Sequence, residues 1–297
     1  MSRRPRHPVR RLLPGQTAEL CTLAPGSAPE VIWSTNDLIE APNWTPDGAA
    51  LIFNADGRLW RIAPDGTGGP ARIDTRPAED LNNDHVLSPD GATIYASAGD
   101  GHIHAIPATG GQATRITHDD RWQHYLHGIS PDGRTLAYVA LHRDGDRQVT
   151  RIATIPVTGG ATSFLTDGAC PVDGPEYTPD GAHILFNGEQ AATRPGHAQI
   201  FRIRPDGTGL TQLTRDARVN WFPHAAPDGQ SIVYLSYPEG TEGHPPDRDV
   251  ILRLMAPDGS GIRDLDRFNG GQGTINVPSW SPDSRRLAYV RYPRGDA

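Results

Sequence analysis

One tetrapeptide, present six times, restricts this chain more than any other feature. The pattern Ser/Thr/Ala-Pro-Asp-Gly/Ser occurs at Thr45–Gly48, Ser88–Gly91, Ser130–Gly133, Thr178–Gly181, Ala226–Gly229 and Ser281–Ser284, with successive prolines 43, 42, 48, 48 and 55 residues apart. Proline presets φ, Asp hydrogen-bonds its own backbone and Gly accepts a left-handed conformation, so each copy encodes a tight turn. A short β-forming run follows each turn, at Ala50–Phe53, Thr93–Ala96, Thr135–Val139, His183–Phe186, Ser231–Leu235 and Arg286–Val290. Hydrophobic residues such as Trp44, Leu87, Ile129, Tyr177 and Trp280 precede the turns. The turn therefore joins two antiparallel strands.

Most repeats contain a second turn: Pro64-Asp65-Gly66, Thr109-Gly110-Gly111, Thr158-Gly159-Gly160, Pro205-Asp206-Gly207 and Pro257-Asp258-Gly259. Two hairpins per repeat make four strands, the content of one propeller blade. No segment carries sustained helical periodicity. The turn at Pro282 is followed by a single strand, whereas residues 17–34 read as strand, turn (Ala24-Pro25-Gly26-Ser27) and strand. Those two N-terminal strands supply what the sixth repeat lacks. The expectation is an all-β, single six-bladed β-propeller with four antiparallel strands per blade, the last blade closed by the N-terminal strands. It spans 15–297, after a disordered basic leader over 1–14.

The repeated turn and its flanking hydrophobics, across residues 40–293, resemble the WD40-like repeat of TolB-type propellers. The resemblance implies the six-bladed fold. It leaves function open, because the same repeat serves periplasmic Tol-Pal proteins, peptidase propeller domains and carbohydrate-active lyases. The helical N-terminal domain and the export signal of TolB itself have no counterpart in this sequence. After Arg3, Arg4, Arg6, Arg10 and Arg11, Leu12–Leu13 runs at once into Pro14–Gly15, too short for a signal-peptide core. A cytoplasmic location is expected, or a periplasmic one if translation starts upstream.

Composition excludes several classes. With 28 Lys+Arg against 35 Asp+Glu the net charge is −7, so no basic nucleic-acid face is expected. No run approaches the roughly 18 apolar residues of a membrane span. Cys21 and Cys170 make neither a disulfide framework nor a metal set. There is no Gly-x-Ser-x-Gly nucleophile motif and no phosphate-cradling loop, hence no nucleotide cofactor.

In a propeller the innermost strands line the channel. The segments leading into them open on the face opposite the Pro-Asp-Gly turns, so functional groups should gather there. Those lead-in segments carry His85, His127 and His224 at nearly equivalent depth, and Glu40, Asn83, Asp173 and Asn276 at equivalent positions. Two insertions reach the same face: Tyr237–Asp249, with Glu242, His244 and Arg248, and Phe268–Asn276, with Gln272. Imidazoles with a carboxylate or amide oxygen suit Mn or Zn, while a carboxylate-rich set would suit Ca; the divalent metal is assigned to His85, His127, His224 and Gln272. Asp84, His124 and Glu176 are the acid/base candidates. Glu40, Asn83, Tyr125, Asp173, Trp221, Arg248 and Asn276 would hold substrate. The chain also resembles, in architecture, oligogalacturonate lyases, whose metal is held by His and Gln on this face; His224 and Gln272 are the loose analogues.

The resulting expectation is a propeller that binds a saccharide or uronic acid, either as a sugar-binding protein or as a carbohydrate-active enzyme, in the latter case a metal-assisted lyase or hydrolase. The alternative is a noncatalytic TolB-like scaffold holding a protein segment in its channel. Plainer roles stand beside these. A channel His often only hydrogen-bonds backbone, carboxylates at strand starts satisfy backbone donors, and Trp221 and Phe222 suit a core. His102, His104, His183 and His197 are incidental on this reading.

Overall fold

A computed structural model describes residues 10–145 and 147–295. The sheets follow the repeat. The first blade runs from the channel outward through Glu40–Trp44, Leu51–Ala55, Arg58–Ile62 and Ala71–Arg72. The next four blades begin at the axis with Leu81–Leu87, Gln123–Ile129, Val172–Tyr177 and Val219–Ala225, each the inner edge of a four-stranded antiparallel sheet. The sixth combines Leu287–Arg291 with the N-terminal strands Ala18–Leu23 and Glu30–Thr35, and a Trp280–Leu287 bridge sets residues 274–280 innermost. Leu20 pairs with Val290 and Cys21 with Tyr289, so both chain ends share one sheet and the ring has no open edge between blades six and one. Among the described residues no helix is long and apolar enough to cross a membrane.

The tetrapeptide turns occupy the lower face. In each of five, a hydroxyl bonds the Asp two residues on: Thr45–Asp47 at 2.6 Å, Ser88–Asp90 and Ser130–Asp132 at 2.5 Å, Thr178–Asp180 and Ser281–Asp283 at 2.6 Å. The same Asp accepts a backbone N–H, Ala49 to Asp47 at 3.0 Å for example, and its pKa falls accordingly. The turns also interlock around the ring. A Cβ on Gly91, Gly133 or Gly181 would lie 3.5, 3.1 or 3.6 Å from the proline of the preceding blade's turn, and Gly48 stands likewise 3.4 Å from Pro282. The fifth repeat breaks the pattern. It has Ala226 where the others have a hydroxyl, and nothing lies within 4 Å of a Cβ on Gly229. There Pro179, Pro227, Asp228 and Gly229 border a lower-face groove of about 530 Å³.

Apolar side chains of facing sheets fill the space between blades. Leu51, Phe53 and Ile62 of the first pack with Leu20, Val290 and Tyr292 of the sixth, all nearly inaccessible. Burying such a side chain is worth about 1.5–3 kcal/mol. Polar residues at the upper ends of the second strands tie blades one, two and four to the next lead-in segment. Asn54 donates to the Leu81 and Asn82 carbonyls at 2.9 and 2.8 Å, Ser97 accepts from the Leu126 N–H at 2.9 Å, and Asn187 accepts from the Phe222 N–H at 3.0 Å. These bonds fix the backbone that carries the candidate site.

Candidate functional site

Six residues before each turn proline the chain places Glu40, Asn83, Tyr125, Asp173, Trp221 and Asn276, one per blade. They form a ring at the upper mouth of the channel. Immediately after this position the inner strands bulge, and register shifts occur in the first five blades. The backbone there is left-handed in three of them: φ is 54° at Ala41, 62° at Gly174 and 53° at Phe222. Gly174 suits that conformation, and a Cβ there would also stand 3.2 Å from the Phe222 ring. At Phe222 the same φ is strained, held by the Asn187 bond. Pro42, Pro175, Pro223 and Pro278 follow, where a bulge needs no ladder donor.

The bulge decides which imidazole reaches the axis. In the third blade the shift falls between Leu126 and Gly128, leaving His127 out of the ladder and aimed into the channel. From there Nδ1 donates to the Asn276 carbonyl of the sixth blade at 2.9 Å. Nε2 meets Asp173 of the fourth at 3.1 Å, and the ring stacks on Phe222 of the fifth at 5.9 Å. One side chain thus bridges opposite walls and forms a floor. Burial alone would discharge it, yet Asp84 and Asp173 outweigh burial and lift its pKa to about 9, so it is an imidazolium donating from both nitrogens. Above it sit three carboxylates. Burial raises Asp84 to about 6, with His127 opposing; Asp173 is lowered by its His127 contact despite burial; Glu40 is raised by burial, with Arg10 and Asn83 opposing. Tyr125, whose hydroxyl donates to Gln123 at 3.0 Å, is pushed up to about 12 by burial and by Asp84 and Asp173.

In the second blade the shift ends before His85, which pairs with Ala96 inside the ladder. His85 is therefore fully buried toward the first blade, where burial lowers it to about 4, and among the described residues neither ring nitrogen has a well-formed hydrogen bond. Asp84 takes the axial position instead. His224 lies one residue further along its strand than His127. Nδ1 meets Glu176 at 2.5 Å and Nε2 bonds the Ile275 carbonyl, so the pair is a buried link between blades four, five and six. His124 is likewise between blades. It donates from Nδ1 to Gly101 at 2.8 Å, lies between His102 and Tyr138, and burial lowers it to about 4. Arg248 is exposed, at the start of Arg248–Met255.

The metal set His85, His127, His224 and Gln272 is therefore corrected. Coordination needs a free imidazole lone pair. His127 and His224 spend both nitrogens on acceptors, and His85 is sealed in a different interface. Among the described residues no group of three or more His, Cys, Asp or Glu is arranged to hold an ion. His124 and Glu176 do not face the channel, which removes them as acid/base candidates. The ring residues Glu40, Asn83, Tyr125, Asp173, Trp221 and Asn276, with Asp84, His127 and Gln272, do converge.

Further residues join them. His244, from the first insertion, reaches Asp173 at 3.6 Å and packs on Trp221 at 4.6 Å. Of the expected leader, residues 1–9 lie outside the described residues, but Arg10 enters the cup. Its Nη1 donates to Glu40 at 3.1 Å and to the Gln272 carbonyl, and its guanidinium lies 4.2 Å above the Tyr292 ring, with Asp247 3.9 Å from Nη2. Gln16 fixes this approach by donating to Asp247 at 2.6 Å. The five leading arginines signal such a contact only as charge; nothing in their spacing singles out Arg10.

No family model matches the chain. An uncharacterized protein of Agrobacterium fabrum is 42% identical over 267 residues, 88% of this chain and 87% of its own. The Tol-Pal system protein TolB of Francisella tularensis is 24% identical over 260 residues, 85% of this chain; the chain spans only 56% of that relative's length. Among solved structures, a candidate TolB from Agrobacterium tumefaciens matches with a TM-score of 0.86 at 39% identity, covering 94% of this chain and 99% of that one. An oligogalacturonate lyase in complex with manganese matches with a TM-score of 0.58 at 14% identity, covering 95% and 97% of the two chains, a likeness of fold alone.

Proposed function

The chain belongs to the family of TolB-like six-bladed propellers, and from that premise we propose that it is a noncatalytic scaffold holding a polypeptide segment of a partner at the upper mouth of its channel. The observation that carries this reading is the His127 floor. The imidazoles of His85, His127 and His224 are taken up between blades, while the mouth above them keeps polar and aromatic side chains, His244 among them. The TolB relative is named as part of the Tol-Pal system, which supports a protein partner. The saccharide or uronic-acid reading has less support, because Glu40, Asp84 and Asp173 oppose an anionic sugar and the lyase-like metal set does not assemble. On the scaffold reading the periplasmic location is preferred to the cytoplasmic one, and cell fractionation checks it.

A displayed-peptide selection against the purified protein tests the scaffold. Selected peptides should bind saturably and weaken about tenfold or more with Tyr125→Ala on the upper face. Arg202→Ala, beside the lower groove, should leave them unchanged. Failure to select any peptide, together with a rise in melting temperature on adding oligogalacturonate, would favour the saccharide.

A further inference from the structure

We infer that the cup is a guanidinium-recognition site, held in cis by Arg10 and taken in trans by an arginine of an incoming polypeptide. This deepens the scaffold reading and rests on it. Three kinds of group converge as arginine binding requires: a carboxylate and a backbone carbonyl for the planar N–H fork, and an aromatic face for its flat surface. Glu40 and the Gln272 carbonyl take Nη1, and Tyr292 lies under the plane. The fit is built. A Cβ on Gly273 would lie 2.6 Å from both the Glu40 carboxylate and the Tyr292 hydroxyl, so only glycine leaves the room.

The cis occupant uses the site incompletely. Among the described residues Nε and Nη2 of Arg10 are buried without a well-formed hydrogen bond, and the Tyr237 hydroxyl beside the guanidinium likewise lacks one and is fully buried. Asp247 stands 3.9 Å from Nη2, beyond hydrogen-bond length. An arginine arriving from outside, free of the approach set by Gln16, can close the Asp247 contact and use the Tyr237 oxygen. Arginine rather than lysine is specified, because an ammonium offers neither the fork nor the flat face. Exchange needs no covalent step: one guanidinium leaves as another enters.

The test is titration of N-acetyl-arginine amide, with N-acetyl-lysine amide as control, into the full chain and its Arg10→Ala and Arg10→Gln variants. Vacating the cup should tighten arginine-amide binding about tenfold or more in both variants, the worth of one charge-assisted hydrogen bond. The lysine amide should not follow, and adding Glu40→Gln to Arg10→Ala should abolish the gain. Equal binding in wild type and in whichever Arg10 variant folds overturns the inference, as does equal binding of the two amides. An arginine-free peptide bound at the upper face with Arg10 still seated would sink this inference and leave the scaffold standing. Arginine-amide binding that Tyr125→Ala spares would uphold it while the scaffold failed.

Discussion

The two ends of this propeller are built on different plans. On the lower face one turn is copied around the ring, four of its six prolines against the next blade's glycine, and the departure at Gly229 opens a groove. On the upper face the equivalent positions hold Glu40, Asn83, Tyr125, Asp173, Trp221 and Asn276, no two neighbours alike. Repetition below fixes geometry; variation above uses it. The lower turns satisfy their own polar groups locally, two residues apart in sequence, whereas the upper mouth is satisfied by contacts between distant segments, such as Arg10 with Gln272 or His127 with Asn276. Damage below should therefore stay local, and damage above should spread between blades.

The largest effect is expected at the link just beneath the mouth. His224→Ala strands the buried Glu176 carboxylate and should cost about 3–5 kcal/mol in denaturant unfolding. A cost under about 1 kcal/mol would break the contrast. Next is the pH response of the floor. The pKa of His127 is raised from 6.5 to about 9, so its contribution is whole below pH 6.5 and lost as pH rises through 9. Asp84, raised from 3.8 to about 6, acts in the same direction lower down, whole below pH 3.8 and lost through 6. Wild-type stability should fall by roughly 2–3 kcal/mol between pH 6.5 and 9.5, and His127→Gln should remove most of that slope.

A paired glycine experiment sharpens the lower end. Gly133 and Gly229 share a φ of +70°, but only Gly133 meets a proline, Pro89 at 3.1 Å. Gly133→Ala should cost about 2 kcal/mol and Gly229→Ala about 1, the difference measuring the interlock. Equal costs would mean that the turns fold without help from their neighbours. The smallest effect is Arg248→Ala, on the exposed insertion, which should change the melting free energy by less than about 0.5 kcal/mol.

The lower face was readable in the sequence because a local turn has a local code: Pro, Asp and Gly suffice, and the strands follow from it. Closure was readable too, since the sixth repeat lacked strands that residues 17–34 could supply. The ring above was readable by counting back from each proline, and Glu40, Asn83, Asp173 and Asn276 stand together as that count predicts. Depth was not. A bulge ending one residue earlier or later turns a side chain to the opposite face, so His85 and His127, both four residues before a turn proline, part company. His224, one residue further on, enters an interface. Arg10 was unreadable for another reason: its partner Gln272 is 262 residues away, and no periodicity connects them.

The pairing of residues 18–23 with 287–291 makes assembly a matter of timing. Residues 18–23 leave the ribosome long before residues 287–291 and must wait for them with one edge bare, and Glu19 meets Arg291 across 272 residues. Until then that edge can accept the same strand from a second copy, which makes exchange between chains the characteristic error of this seam. Joining the segment that follows residues 287–291 to the one that precedes residues 18–23, and cutting a lower turn instead, would move the seam elsewhere and leave the upper mouth intact.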